Sequence, residues 1–119
     1  MMSMPFINEC RFGRMTISGK PFSTDLIILP SGRVMDNWIR KSGHFLEYND
    51  LKTLIDTGPE AIIVGTGISG RMKVDNELLS LLNHMDIKAD VFPNPQAVEL
   101  YNQKISTGLL FGACFHLTC

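Results

Sequence analysis

The chain is poor in most of the features that announce a function. It has three cysteines, Cys10, Cys114 and Cys119, and no C-x-x-C spacing among them. That argues against a thiolate metal site or a disulfide scaffold and suits a reducing compartment. Charge is scarce too. Eleven Lys and Arg against twelve Asp and Glu give a net charge of -1. A phosphate-backbone binder carries a basic face, so no nucleic-acid partner is expected. The densest basic spots, Trp38 to Lys41 and Arg71 to Lys73, are short and read as solvated edges. No apolar run has the length that spans a bilayer, so no membrane partner is expected. The first ten residues, MMSMPFINEC, lack the basic start and apolar stretch of a secretory signal and the Arg-rich pattern of a mitochondrial presequence. The expected location is the cytoplasm.

What is present is an ordinary globular composition, 45% hydrophobic and 19% charged. It suffices for one domain, residues 1–119, around one core. The N-terminal part reads as short antiparallel strands divided by turns at Gly13, Ser18-Gly19 and Pro30-Ser31-Gly32. Met15 and Ile17 alternate with polar neighbours, as a half-exposed strand requires. Asp25 to Leu29 is apolar almost throughout and reads as a strand buried on both faces. Arg33 to Met35 can pair back across the Pro30-Ser31-Gly32 turn.

From residue 49 the pattern alternates helix and strand. Asn49 or Asp50 is placed to cap a helix carrying Leu51, Leu54 and Ile55, ended by Gly58-Pro59. Ala61 to Val64 follows as a buried strand. Asp75 caps a second helix with an apolar stripe of Leu78, Leu81, Leu82 and Met85. Ile87 to Phe92 is a strand. Asn94-Pro95 opens a third helix, with Asn94 as cap and Ala97, Val98, Tyr101 and Ile105 inward. Gly108 stops it before a strand over Leu109 to Phe115. The C-terminal half is therefore β-α-β-α-β and the whole an α/β domain with a mixed β-sheet, its ligand end at the carboxyl ends of the parallel strands.

Gly65, Gly67 and Gly70 spell G-x-G-x-x-G after a strand. In a dinucleotide fold these glycines open a helix whose N–H groups meet the pyrophosphate. Here Arg71 to Val74 separate Gly70 from the cap at Asp75. Neither Asp86 nor Asp90 ends the next strand, where a ribose-binding acid belongs. The loop is expected to be a tight glycine turn, not a dinucleotide site, and no cofactor or metal is expected. A second reading keeps it as a small-anion cradle. Gly65, Thr66, Gly67 and Gly70 would then supply N–H groups, with Arg40, Asn94 or Asn102 on the rim.

Trp38 and Arg40 share a face of an extended segment, so guanidinium can stack on indole, over the core edge or as part of a recognition surface with His44. His44 is also the one weak candidate for acid–base work. His84 closes the second helix, where a cation suits the dipole. His116 lies near Thr118 and Cys119, but Cys114 reads as buried and Cys119 as mobile, so no Cys–His nucleophile is expected.

Several stretches together resemble one family. Asn37 to His44 is similar to its W-x-R-x-x-G-H segment, and Ile62 to Gly67 to its strand with G-T-G. Ala97 with Tyr101-Asn102 matches its third helix. Gly108, Ala113, His116 and Thr118-Cys119 match its closing segment. In these residues the chain resembles the Mth938-like (Mth-nine-three-eight-like) domain family. The resemblance implies a single three-layer α/β domain around a mixed sheet, no established enzyme activity or cofactor, and roles in assembly or protein interaction. The chain departs from the family pattern at Met72 to Val74, Asn94-Pro95 and Thr107 to Leu109, where the family favours a proline, a threonine and a Glu-Gly-Arg. The functional expectation is a non-catalytic interaction or assembly domain with a protein partner or a second copy. The alternative is anion binding at the glycine loop.

Overall fold

The structure, a computed structural model, describes residues 4–119. In chain order its elements are β1 (Ile7–Arg11), β2 (Arg14–Ile17), β3 (Lys20–Phe22), β4 (Leu26–Ile28), β5 (Val34–Met35), β6 (Phe45–Leu46), α1 (Tyr48–Ile55), β7 (Ala61–Gly65), β8 (Lys73–Val74), α2 (Asn76–His84), β9 (Lys88–Phe92), α3 (Asn94–Lys104) and β10 (Phe111–Phe115). The continuous apolar runs of β7 and β10 are buried at every position, as strands covered on both faces must be. They form the middle of a five-stranded sheet in the order β5-β4-β10-β7-β9. β10, β7 and β9 run parallel, whereas β4 and β5 run antiparallel to their neighbours. The sheet is therefore mixed.

Strand alternation divides the core in two. Ala61, Ile63, Phe111, Ala113 and Phe115 join Ile7, Met15 and Ile17 and, from α3, Ala97 and Tyr101. Ile62, Val64 and Cys114 face Leu51, Leu54 and Ile55 of α1 and Leu78 and Leu82 of α2. The result is three layers. α1 and α2 cover one face of the central sheet. α3 and the antiparallel sheet β1-β2-β3 cover the other.

Helix ends follow their side chains. Asp75 caps α2 by accepting the Glu77 N–H, as expected. α1 starts two or three residues earlier than expected. Glu47 is its cap, and Asp50, at the third helical position, accepts the Glu47 N–H at 2.9 Å. α3 begins after Pro93, and Asn94 does not cap it. The expected stripe on α2 is also only half buried: Leu81 is 38% and Met85 45% exposed. α2 packs on β9, the edge strand of the sheet, so one side of the helix overhangs it.

Candidate functional site

β10 pairs Phe115 with Gly65 of β7 on one side and with Leu26 of antiparallel β4 on the other. That register brings the residue before β4, the residues after β10 and the glycine loop after β7 to one end of the sheet. It is the carboxyl end of the parallel strands, where α/β folds favour a site.

Three side chains meet there. His116 Nδ1 lies 2.7 Å from Asp25 Oδ2. Arg40 Nη2 lies 2.8 Å from the same oxygen and donates to the Gly43 carbonyl at 2.6 Å. Asp25 Oδ1 accepts the Leu117 N–H at 2.7 Å. Arg40 and His116 are buried, and Asp25 is nearly so. Burial alone would raise the Asp25 pKa, but hydrogen bonds from His116, the Leu117 N–H and Arg40 outweigh it and hold the carboxyl below its ordinary value. A carboxylate at 2.7 Å fixes the histidine tautomer: Nδ1 carries the proton and donates it. The 3.0 Å approach of Arg40 Nη2 to that nitrogen is then two donors converging on one acceptor. Arg40 Nε and Nη1 are buried without a hydrogen-bond partner among the described residues. The guanidinium instead lies 4.7 Å over the Trp38 ring.

Asp25 makes the stability of the fold depend on pH. Its folded pKa lies below its unfolded value of about 3.9. Its contribution to stability is therefore present above that pH and is lost as pH falls through the folded value. Urea midpoints measured from neutral pH downward should fall below about pH 4. Asp25→Asn should be less stable at neutral pH and should lose this part of the acid slope.

The glycine loop at the same end is closed on the protein itself. Thr66 N–H donates to the Phe92 carbonyl, Ile68 to Thr118, Arg71 to Cys119, Met72 to Thr66 and Gly70 to Gly67. Gly67 N–H donates to Asn94 Oδ1 at 3.0 Å, and Asn94 Nδ2 donates to the His116 carbonyl at 2.7 Å. An anion at this loop would have to displace these acceptors. The loop's glycines answer to packing. A Cβ on Gly65 would overlap the Phe115 ring, and one on Gly67 would overlap the Cys119 carbonyl. As expected, the loop does not open a helix: β8 lies between it and α2.

The residues singled out in the sequence separate accordingly. Arg40, Asn94 and the glycine loop come together around His116. Asn94 is fully buried and serves as an internal clasp, not as the helix cap expected of it. Asn102 is elsewhere: its amide accepts the Ile7 N–H and donates to the Ile7 carbonyl, tying α3 to β1. Trp38 is half-buried against the α1–α2 side of the core, its indole N–H donating to the Asp50 carbonyl at 2.9 Å. His44 is exposed and stands edge-on to His116, with ring centres 5.3 Å apart. Two clefts lie elsewhere. One of 240 Å³ is lined by Gly13, Arg14 and Pro21 to Ser23, and one of 420 Å³ lies between Pro5, Ile17, Lys20 and Asp36. The three cysteines are free, and burial pushes the Cys114 thiol far up.

Asp25 was not singled out from the sequence as a site residue, and His116 was weighed there only beside the cysteines and as part of the family's closing segment. Their available signal is an ionisable residue at the end of an apolar strand. Asp25 precedes Leu26–Ile28, and His116 stands between Phe115 and Leu117.

A chain with this architecture is a mixed α/β domain with a polar cluster at the carboxyl end of its sheet. Comparison with known proteins places it further. Residues 7–116 match the family model described as a protein of unknown function (DUF498/DUF598), and the chain belongs to that family. It is similar to the solved protein MT938, at 28% identity over 97% of this chain and 99% of that one, with a TM-score of 0.81. It is also similar to the conserved hypothetical protein PH1505 of Pyrococcus horikoshii OT3, at 28% identity over 95% and 98% of the two chains, with a TM-score of 0.86. A Mth938-like domain from Bordetella pertussis, at 13% identity over 95% and 85% of the two chains and a TM-score of 0.70, shares the fold. The resemblance read from the sequence is thereby shown. No helix among the described residues is long and apolar enough to cross a membrane.

Proposed function

We propose that the domain is a cytoplasmic protein-interaction module that docks its partner on the loop from Asn37 to Phe45. The observation that carries this reading is Ile39, which is 85% exposed between two anchored neighbours. Trp38 is held by its bond to Asp50 and by the core, and Arg40 by the buried ion pair with Asp25. Lys41 N–H donates to Asp50 Oδ1, and Phe45 bridges back to Ser42. A large apolar side chain held in water by a pre-ordered backbone gives up little entropy on docking, which favours a contact residue. His44 and the partly exposed Phe45 extend the same loop. Neither of the two clefts described above is lined by a residue of this loop.

Ile39→Asp tests the proposal. The side chain touches solvent, so stability should stay within about 0.5 kcal/mol of wild type. Recovery of the proteins captured by the immobilised wild-type domain from its own cells should fall about tenfold or more, the loss of a central contact. Equal recovery by Ile39→Asp and wild type would remove the loop from consideration.

A further inference from the structure

Residues 116 to 119, which follow β10, carry a second feature that the interaction reading does not use. His116 and Thr118 are two apart in the chain, and their side chains meet. Thr118 Oγ1 lies 3.2 Å from His116 Nε2, and His116 Nδ1 lies 2.7 Å from Asp25 Oδ2. We propose that Asp25, His116 and Thr118 form a relay in which the Thr118 hydroxyl is a nucleophile toward small activated acyl esters. Asp25 holds the proton on Nδ1, which leaves the lone pair of Nε2 facing the hydroxyl. Thr118 O–H is then the donor and His116 the base, the relation that activates a hydroxyl nucleophile. Asp25 is a positioning residue. Its second oxygen is occupied by the Leu117 N–H, so the carboxylate is pinned at both ends.

The reaction balances without a cofactor. Thr118 Oγ1 bonds to the ester carbonyl carbon as its proton passes to His116 Nε2. The bond from that carbon to the leaving oxygen breaks, and the leaving alkoxide takes the proton from Nε2. Water then attacks the threonine ester, again giving its proton to Nε2, and the carboxylic acid departs with Thr118 restored. The oxyanion formed at each attack needs donors. The N–H groups of Thr118 and Cys119 have no acceptor among the described residues and are free for this role. Thr118 is half-buried, which favours a small acyl group.

The test uses the whole protein and p-nitrophenyl acetate, with the adducts located by peptide mass spectrometry after Cys10 and Cys119 have been blocked by alkylation. The expected result is acetylation of Thr118 that disappears in Thr118→Val and persists in Thr118→Ser. The rate should drop about tenfold or more in His116→Gln, the scale of a lost general base. Thr118→Ser should keep a measurable part of the wild-type rate, which Thr118→Val should lose. Thermal midpoints establish that each variant is folded. Thr118→Val sits at a half-buried position and keeps the side-chain volume, so it preserves the test if His116→Gln unfolds. Acetylation confined to lysines or other hydroxyls, or equal release of p-nitrophenol by wild type and folded Thr118→Val, overturns the proposal.

Discussion

Gly67→Val is expected to cost more than about 3 kcal/mol, enough to remove much of the 5–15 kcal/mol that holds a domain of this size together. Two independent effects combine. Gly67 sits at φ +110°, a conformation that a β-branched residue adopts only with strain of about 1–3 kcal/mol. Its new side chain would also overlap the backbone carbonyl of Cys119 and press on the His116 ring, 3.1 Å from the added Cβ. Backbone cannot rotate out of the way as a side chain can. Relief requires the segment from His116 to Cys119 to lift, which breaks the bonds from Ile68 to Thr118 and from Arg71 to Cys119. Lifting it also strains the Asn94 clasp between Gly67 and His116. Urea denaturation gives the value, and a variant with the wild-type midpoint would contradict the docking of that segment on the loop.

Arg40→Met is the second large effect, expected at about 3–5 kcal/mol, the usual cost of breaking a buried ion pair from one side. Methionine supplies the volume and still covers Trp38. It leaves Asp25 ionised with His116 and the Leu117 N–H as its remaining partners, and it frees the Gly43 carbonyl. Arg40→Lys should recover only part of the loss, because one ammonium cannot both stack flat on the indole and reach Asp25 and Gly43 together. Asp25→Leu combined with Arg40→Met should be less destabilised than the sum of the single changes, with a coupling of about 1–3 kcal/mol. Additive losses would mean that the two residues act separately.

The sequence was most legible where the determinants are local. The antiparallel return of Val34 and Met35, the Asp75 cap and the delayed start of α2 after Gly70 depend on residues within a few positions of each other, and each stands in the structure as read. The short parallel pair β6-β8 was not legible. It joins Phe45 to Lys73 across the chain, and two-residue strands carry no periodicity. Asn94 shows how a local rule loses to a distant demand. An Asn before Pro95 suits a cap, but its amide is drawn inward to satisfy the buried Gly67 N–H and His116 carbonyl. The site was half legible. Arg40 over Trp38 follows from their spacing, while Asp25 and His116, 91 residues apart, meet only because β4 and β10 are neighbours in the sheet.

The central claim, that the Asn37 to Phe45 loop is a docking surface for another protein, is tested most directly by replacing Ile39 with a photo-crosslinking amino acid and irradiating the domain in extracts of its own cells. The account predicts a discrete adduct that tandem mass spectrometry assigns to one protein. Unlabelled wild-type domain should suppress it and Ile39→Asp should not. The account is contradicted if position 39 gives only the diffuse adducts of the same reporter at Gln103, an exposed residue on α3.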